Sequence, residues 1–552
     1  TNAGLALFNP TTEKFTVFKH NPNDDNSLLS NSIYDIKQMK DGKIWICTNM
    51  GGVSILDLQH NAFISAEEID FQNIKATNDN YGLSSPNARC AYQDCYGNIW
   101  IGNYRGGIDF ISHTQPMFNI LPYTIETAKG LSYKQVWGMW ATDNQVWLGS
   151  EDELGLFING KKIKTYDLYS HELVYNTHIN TIYEDRQKRL WLGTYKNGIL
   201  LYKPDKQEIV HISSSLFNNL DVRCFYEDQN GKMWIGTETG IYSCTNEVLV
   251  KEEEIQKQLP DIMVHSLLRD KEGKLWVGTF GKGISIFDVN NKLLWNFVIE
   301  NGFCSNAVNH MIKDSEEQIW VATREGLAVF KNTSQPNRYK IFKEKEGLEN
   351  SHIRAICEDL EKRIWISSND GISCLDPKQN LFYNYNHHDG VPMGDFMNGS
   401  TCMTHNGIIY FGSQNGACFF NPKELSSIRQ VSPVKITQFC KYNKKTESKD
   451  AEISIPFKKG VVHLPYNQNS FRITFNVLDY TQSPQVEFTY MLEGLENRWY
   501  DTQGENQVIF RNIPPGKYNF KVRTRIRNQE WDKEIASLNI FIAPPLWLTW
   551  YA

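Results

Sequence analysis

Six side chains of very different chemistry recur at one equivalent position, one repeat apart, early in a predicted strand. They are Trp137, Asn180, Arg223, His265, Asn309 and Arg354. The predicted turns nearby add Tyr195, Lys196 and Arg324. A flat aromatic ring can stack on the apolar face of a sugar, while Arg, Asn and His can hydrogen-bond its hydroxyl groups. If the fold brings these nine residues to one surface, they are candidate ligand-binding residues for an oligosaccharide.

A purely structural role for the first six residues is the alternative interpretation. In that case they would point into neighbouring repeats and hydrogen-bond the loops there. A position that served packing alone should carry similar residues in each repeat, whereas these differ in size, charge and aromaticity. The cationic members would also suit an acidic sugar, but Glu151 and Glu238 lie in the same predicted turns and weaken that inference. The sequence therefore does not name the glycan.

The elements that must position these residues come from an internal repeat, whose clearest copies occupy residues 228–241 and 270–284. Each copy has an aromatic anchor, and successive anchors are 42 to 55 residues apart. The anchors are Trp45, Trp100, Trp147, Trp191, Trp234, Trp276, Trp320, Trp365 and Tyr410. This spacing is typical of one four-stranded blade of a β-propeller. We expect each Trp to pack between adjacent blades, where its N–H can still find a partner.

Each repeat contains the same succession of strands and turns. A first strand runs into an Asp-x-x-Gly turn such as Asp228 to Gly231, and a second strand carries Trp-x-Gly-Thr. Two further strands follow, joined by turns rich in Gly, Asn and Pro. Because consecutive strands alternate in direction, the turns after strand two and the connections into strand one should share one face. The candidate residues belong to those two sets of segments.

The number of repeats predicts two propellers. Residues 4–10 match the third strand of later repeats, so the chain begins within a blade, and about nine and a half repeats exceed one propeller of up to eight blades. Counting seven blades backward from Asn421 places a boundary near residue 134. Residues 1–134 are therefore predicted to be the last blades of a first propeller, incomplete in this chain. Residues 135–427 are predicted to form a complete second, seven-bladed propeller.

After Pro422 the repeat stops and the pattern changes. Residues 428–543 are predicted to form an immunoglobulin-like β-sandwich, so the fold class is all-β throughout. Residues 544–552 contain Trp547, Trp550 and Tyr551 after two prolines. Such an aromatic cluster is typical of a membrane interface, and this segment is predicted to be juxtamembrane.

Composition excludes several other functions. A net charge of −6 and a pI near 6.1 offer no basic surface for nucleic acid. The cysteines and histidines show no spacing typical of a zinc site, and no motif implies a cofactor or another metal. We therefore predict no nucleic-acid partner, no metal and no cofactor.

An enzyme is the main alternative function, because propellers also carry hydrolases and lyases that act on carbohydrates. Glycosidase chemistry needs two facing carboxylates. The recurring acidic residues instead occupy one turn position in each repeat, as Asp94, Asp185, Asp228, Asp270, Asp314 and Asp359 do. Repetition marks them as turn formers, and we predict no catalytic residue in this region. A protein-interaction scaffold is a third alternative, for which an exposed apolar patch would be expected.

The chain resembles the sensor regions of hybrid two-component systems of gut Bacteroidetes, which combine two propellers with a triple-tyrosine (YYY) sandwich domain. The resemblance lies in the D-x-x-G-x-(I/L/M)-W-(I/L/V)-G-T repeat and in the segments LDYTQSPQVEFTYMLEGLENRWY, RNIPPGKYNFKVR and PPLWLTWYA. It covers essentially the whole chain. The chain departs from the family by lacking the first blades.

The resemblance carries functional expectations. It implies a periplasmic region that binds an oligosaccharide and signals through the YYY domain across the inner membrane to a cytoplasmic histidine kinase. It also implies a homodimer, with the membrane anchor and the kinase C-terminal to Ala552. The region itself is expected to have no enzymatic activity.

Overall fold

A computed structural model describes most of the chain. The residues described are 3–10, 12–57, 70–76, 82–112, 117–121, 124–127, 130–133, 135–151, 153–168, 178–212, 220–425, 433–441, 452–454, 461–478, 486–502, 504–526 and 531–545. The chain divides into two compact units, Thr1–Pro116 and Met117–Ala552. Most of the predicted juxtamembrane segment, residues 546–552, lies outside the described residues.

The first unit is built from antiparallel strands. Its strands are β1 (Leu5–Asn9), β2 (Lys14–Phe18), β3 (Ile33–Gln38), β4 (Ile44–Thr48), β5 (Gly52–Leu56), β6 (Gln72–Ile74), β7 (Ala88–Gln93), β8 (Ile99–Asn103) and β9 (Ile108–Ile111). They form a hairpin (β1-β2), a four-stranded sheet (β3-β4-β5-β6) and a three-stranded sheet (β7-β8-β9). The core between the two sheets contains Trp45, Val53, Ala91 and Ile101.

The second unit begins with a short strand and a hairpin, followed by repeated four-stranded sheets. These elements are β10 (Asn119–Leu121), β11 (Thr124–Thr127), β12 (Gly130–Tyr133), β13 (Gly138–Ala141), β14 (Gln145–Gly149), β15 (Glu153–Ile158), β16 (Lys161–Asp167), β17 (Ile179–Glu184), β18 (Leu190–Thr194), β19 (Ile199–Lys203), β20 (Glu208–Ile212), β21 (Val222–Glu227), β22 (Met233–Thr237), β23 (Gly240–Thr245), β24 (Val248–Lys251), α1 (Glu253–Gln256), β25 (Val264–Arg269), β26 (Leu275–Thr279), β27 (Ile284–Phe287) and β28 (Leu293–Phe297).

The same pattern continues to the end of the ring. Its remaining elements are β29 (Val308–Lys313), β30 (Ile319–Thr323), β31 (Gly326–Phe330), β32 (Tyr339–Phe342), β33 (Ile353–Glu358), β34 (Ile364–Ser368), β35 (Ile372–Asp376), β36 (Leu381–Tyr385), β37 (Phe396–Met403), β38 (Ile409–Ser413), β39 (Gly416–Phe420) and α2 (Pro422–Leu425). Short 3-10 helices occupy Ile299–Asn301, Glu344–Glu346 and His387–Asp389. The first strands of successive sheets contact one another, and β37 returns to β13, so seven blades form a closed ring.

The last blade takes its outer strand from the start of the second unit. Strand β10 pairs antiparallel with β39, with Ile120 opposite Cys418. The second propeller therefore starts before the predicted residue 135. A ring closed in this way hydrogen-bonds its first and last strands and leaves no open edge between them. The three-residue strand carries no repeat signature, which is why the repeat pattern missed it.

The C-terminal strands form a two-sheet sandwich. They are β40 (Val434–Lys441), β41 (Glu452–Ser454), β42 (Val461–Leu464), β43 (Phe471–Val477), β44 (Val486–Glu493), β45 (Tyr500–Asp501), β46 (Gln507–Phe510), β47 (Gly516–Ile526) and β48 (Ala536–Ile542). The sheets have the orders β41-β40-β43-β46 and β42-β48-β47-β44-β45. Their facing side chains, including Phe439, Phe475 and Phe520, make one core. The all-β fold of propellers followed by an immunoglobulin-like sandwich is thus confirmed. Among the described residues, no helix is long and apolar enough to span a membrane.

The anchor tryptophans pack between blades as predicted. Trp276 is fully buried, and its ring centroid lies 5.1 Å from that of Phe330 in the next blade. Its Nε1–H donates to Asp270 Oδ2 at 3.0 Å, while Asp270 Oδ1 accepts from the backbone N–H groups of Glu272 and Lys274, each at 2.9 Å. This Asp–Trp clasp recurs in six blades, at 2.8–3.1 Å, for Asp94, Asp185, Asp228, Asp270, Asp314 and Asp359. The repeated aspartates are therefore engaged in turns and clasps, as turn formers should be.

Candidate functional site

A β-bulge explains why the candidate position differs from the rest of each first strand. The ladder between strands one and two shifts register there in five consecutive blades. The residues skipped by the shift are Asn180, Arg223, His265, Asn309 and Arg354. A bulge of this kind releases one residue from the ladder and re-aims its side chain. Trp137 precedes β13 directly, and its backbone N–H donates to Gly149 O at 3.1 Å.

The turns after strand two lie beside these bulges. In each case a turn N–H donates to the carbonyl of a residue just before strand one. Tyr195 N bonds His178 O at 2.9 Å, and Glu238 N bonds Asp221 O at 3.1 Å. Arg324 N likewise bonds Ala307 O at 3.3 Å. The two sets of segments expected to share a face are thus hydrogen-bonded to one another, and we call this face the mouth of the second propeller.

One part of the mouth is aromatic. The rings of Trp137 and His178 stack with centroids 5.0 Å apart, and His178 stacks on Tyr195 at 4.7 Å with an interplanar angle of 7°. The exposed Lys196 places its Nζ 4.8 Å from the Tyr195 centroid. Three predicted residues, Trp137, Tyr195 and Lys196, therefore lie together. His178 joins them, and the sequence analysis missed it because it precedes the repeated position. Stacked rings of this kind offer a flat apolar surface beside a cation.

A second part is an ionic cluster around Arg223. Its Nη2 donates to Asp221 Oδ2 at 2.5 Å and to Glu238 Oε1 at 2.8 Å. Burial raises the pKa of Asp221 to about 7, with the Arg223 charge opposing and Glu238 adding to the shift. Burial acts to raise the pKa of Glu238 too, but hydrogen bonds from Asp221 and Arg223 bring it below its ordinary value. Asn180 Nδ2 donates to Asp221 Oδ1 at 2.5 Å and completes the cluster.

His265 and Phe280 continue the mouth from this cluster. Their ring centroids are 5.1 Å apart. Burial, reinforced by the Arg223 charge, lowers the pKa of His265 to about 4, so the imidazole is neutral at neutral pH. The guanidinium carbon of Arg324 lies 4.5 Å from the Phe280 centroid. A neutral imidazole both donates and accepts hydrogen bonds, which suits a hydroxyl group.

Arg354 is held by polar side chains from its own blade and the next. It donates to Asn369 Oδ1 at 2.8 Å, to Asn398 Oδ1 at 3.1 Å and to Asp395 Oδ2 at 3.2 Å. Burial lowers the pKa of Arg354, with Asp395 opposing the shift and Arg324 adding to it. Asp395 and Asn398 were not among the predicted site residues, although their position in the seventh repeat could have indicated them.

Two predicted residues have mainly structural contacts. Asn309 is 2% exposed, and its Nδ2 donates to Ile353 O of the next blade at 2.7 Å. Asn180 is 8% exposed and bonds Val222 O in addition to Asp221. For these two asparagines the structure gives the contacts that the alternative interpretation predicts. The aromatic, His and Arg members instead keep part of their surface at the mouth.

The fold is thus one of propeller blades followed by a β-sandwich. Residues 174–196, 215–239 and 258–281 match the family Two component regulator propeller, and residues 479–543 match the Y_Y_Y domain. The extracellular domain of a putative hybrid two-component system from B. thetaiotaomicron is 40% identical, with a TM-score of 0.83. That match covers 99% of this chain and 71% of the other. The chain therefore belongs to the family of two-component-system sensor regions that join regulator propellers to a Y_Y_Y domain.

A curated relative extends the comparison. Histidine kinase P4 of Formosa agariphila is 25% identical over 448 residues, which cover 69% of this chain. The chain spans only 32% of that relative's length. The part matched here is thus a minor part of a longer protein in that organism.

Proposed function

We propose that this chain is the periplasmic sensor region of a hybrid two-component protein and that it binds an oligosaccharide at the mouth of the second propeller. One observation carries the proposal. A bulge repeats in successive first strands, yet the residue that it releases differs from blade to blade. A fold that needed the bulge only for packing would not need Arg and His at equivalent places.

The mouth offers complementary contacts for a sugar chain. The Trp137–His178–Tyr195 stack supplies a flat surface for the apolar face of a ring. Arg223, His265 and Arg354 supply hydrogen-bonding groups whose positions are fixed by neighbouring side chains. Side chains held in place before binding lose little conformational entropy when a ligand arrives.

Signalling would pass through the sandwich to a histidine kinase in the membrane-anchored full-length protein, which we propose to act as a homodimer. The ligand must bind one arrangement of the two chains better than the other, because equal affinity would shift nothing. Sedimentation of the purified chain with and without ligand measures this association. A chain that stays monomeric under both conditions would contradict a dimer formed by this region.

Titration calorimetry against neutral, uronic and sulfated oligosaccharides tests the binding proposal. Trp137→Ala and Arg223→Ala should each weaken binding of the bound class by about tenfold or more. Arg338→Ala and Trp531→Ala are matched controls, because Arg338 follows β31 at the opposite end of its blade and Trp531 belongs to the sandwich. Both controls should bind like the unaltered chain, and melting temperatures should show that each variant is folded.

Three outcomes would contradict the proposal. Binding that is unchanged in both mouth variants would move the site elsewhere. Turnover of any oligosaccharide during the titration would favour the enzyme alternative, in which the propeller is a hydrolase or lyase. Absence of binding to all three classes would favour the interaction-scaffold alternative.

A further inference from the structure

Arg324 differs from the other two arginines at the mouth in having no carboxylate partner among the described residues. Arg223 is paired with Asp221 and Glu238, and Arg354 with Asp395. The Arg324 side chain is exposed, and the contact recorded for its guanidinium is with the face of Phe280, at 4.5 Å. An aromatic face holds a guanidinium in place without using its N–H groups. These donors are therefore directed to something other than a protein carboxylate.

Other basic side chains lie near Arg324. Burial is the main reason why the pKa values of His265, His352 and Arg354 are lowered, and the Arg324 charge lowers each of them further. Three basic side chains thus lie within the field of one guanidinium. His352 also has a buried Nε2 without a hydrogen-bond partner in the described part of the chain. Arg354 is paired with Asp395, and both histidines are held toward the neutral form, so Arg324 is the cation of this group that no carboxylate pairs in the described part of the chain.

The nearby carboxylates are already engaged. Glu238 accepts from Arg223, and Asp395 accepts from Arg354. Asp261 accepts from the backbone N–H groups of Met263 and Gly281, at 3.2 and 2.8 Å. None of these three carboxylates forms an ion pair with Arg324. Glu238, which in the sequence alone weakens the case for an acidic ligand, is engaged by Arg223 instead.

We infer that Arg324 binds an anionic group of the ligand, a carboxylate or a sulfate, so that the sensed oligosaccharide is acidic. This inference rests on the proposed function and deepens it by naming the ligand class. A guanidinium presents paired N–H donors that match the two oxygens of either group. The Trp137–His178–Tyr195 stack would receive an uncharged ring face of the same chain, which gives the two parts of the mouth different tasks.

The experiment uses two pairs of probes that differ only in charge. One pair is an oligogalacturonide and its carboxyl-reduced form, and the other is a chondroitin sulfate oligosaccharide and its desulfated, carboxyl-reduced form. Inorganic sulfate alone is the fifth probe. Titrations are run on the unaltered chain, Arg324→Ala, Arg324→Lys and the control Arg338→Ala.

At least one charged probe should bind the unaltered chain about 10- to 100-fold more tightly than it binds Arg324→Ala. Arg324→Lys should recover part of that loss, because Lys keeps the charge but not the paired donors, and Arg338→Ala should bind normally. Removing the charge from the probe should weaken its binding to the unaltered chain by a similar factor, and should make Arg324→Ala equivalent to the unaltered chain.

The failure of this inference is distinguishable from failure of the proposed function. If the uncharged probes bind as tightly as the charged ones and Arg324→Ala changes nothing, the chain is a sensor of neutral sugars and the role of Arg324 is wrong. If inorganic sulfate binds with the same dependence on Arg324 and as tightly as any oligosaccharide, the ligand is a small anion and the inference is also wrong. If no probe binds, the proposed function itself fails.

Discussion

The two ends of each blade differ in whether the same side chains recur from blade to blade. At the end that carries the Asp-x-x-Gly turn, the same Asp–Trp clasp recurs at 2.8–3.1 Å in six blades. At the other end, the bulge recurs but the residue it releases changes, from Asn180 to Arg223 to His265. At the first end both the side chains and the backbone geometry recur between blades, whereas at the second end only the backbone geometry recurs. The difference teaches that a repeat protein can stabilise its fold through one set of positions and let the side chains at another set vary.

The same contrast is present within the first unit. Its two bulges release Tyr34 and Arg89, and the Arg89 guanidinium carbon lies 3.9 Å from the Tyr34 centroid. Asp94 and Trp100 form the clasp in one sheet, at 3.1 Å. In the other sheet Met39 occupies the Asp position, and Trp45 Nε1 has no hydrogen-bond partner in the described part of the chain. Of the nine anchors, Trp45, Trp147 and Tyr410 lack an Asp six residues before them. The missing clasp at Trp45 provides a test.

The largest expected effect comes from removing an anchor at the clasp end. Trp276→Ala should lower the free energy of unfolding by about 3–5 kcal/mol, because it deletes a fully buried ring between two blades and strips Asp270 of a donor. Trp137→Ala, the same change at the mouth, should cost about 1 kcal/mol, since that side chain is only half-buried. Denaturant titration followed by circular dichroism measures both values. Equal losses would show that the mouth is as structural as the clasp.

The pH dependence of stability distinguishes the ionic cluster of the mouth from the clasps. Burial raises the pKa of Asp221 from 3.8 to about 7, so between these values the folded chain holds a proton that the unfolded chain has released. The stability from this proton is complete below about pH 4 and is lost as the pH rises through 7. His265 acts in the opposite direction, because burial lowers its pKa from 6.5 to about 4. Its contribution is complete above pH 6.5 and is lost as the pH falls through 4.

Asp221→Asn should therefore change the slope of stability against pH. Without the ionisable carboxyl, the contribution to the free energy of unfolding that decreases with rising pH disappears. The contribution of His265, which increases with rising pH, remains. Between about pH 4.5 and 6.5 the variant should gain about 1–2 kcal/mol relative to the unaltered chain, below the limit of about 1.4 kcal/mol per pH unit for one proton. Asp94→Asn is the matched control at a clasp: burial acts to raise the pKa of Asp94, but its hydrogen bonds bring it below 3.8, so its titration lies below this pH range and the slope there should stay unchanged. Parallel curves for Asp221→Asn and the unaltered chain would contradict the raised pKa.

Much of this contrast could be predicted from the sequence, for physical reasons that apply at particular residues. In six blades an Asp lies six residues before the anchor Trp, and this pair leaves a periodic signal because the same contact is made each time. The closing strand Asn119–Leu121 left no signal, because its pairing with β39 uses backbone groups that any sequence possesses. The bulge position could be recognised because its residue type varies from repeat to repeat, but the side chains that contact it could not be predicted. Asp221 and His178 precede the repeated strand, where no periodicity distinguishes them from loop residues.

The distinction between Arg324 and the other two arginines was also beyond the sequence. Arg223 and Arg354 occupy the bulge of strand one and Arg324 the turn after strand two, but residue type and position alone do not say which of them has a carboxylate partner. What separates them is the spacing of partners around each guanidinium, since Arg223 and Arg354 each meet a carboxylate within 3.2 Å. A difference of this kind depends on blade-to-blade geometry, which composition and periodicity do not encode.

The smallest expected effect concerns the missing clasp at Trp45. Met39 lies in the same turn geometry as the aspartates, with its N–H bonded to Lys43 O at 2.9 Å and its carbonyl to Gly42 N at 3.0 Å. Met39→Asp would place a carboxylate where the other blades have one and give the Trp45 N–H an acceptor. Met39→Ala loses the buried Met side chain without supplying that acceptor. Comparing the two variants separates the hydrogen bond from the lost packing.

We expect Met39→Asp to be more stable than Met39→Ala by about 1 kcal/mol, the usual net value of a buried hydrogen bond. Thermal and urea unfolding of both variants, followed by Trp fluorescence, provide the measurement. Trp45→Phe in the Met39→Asp background should abolish the difference, because the ring then has no N–H to donate. If Met39→Asp is the less stable of the two, the cost of burying the carboxylate exceeds the gain from its hydrogen bond to Trp45. The Asp–Trp clasp would then stabilise only those blades whose surroundings already accommodate the carboxylate.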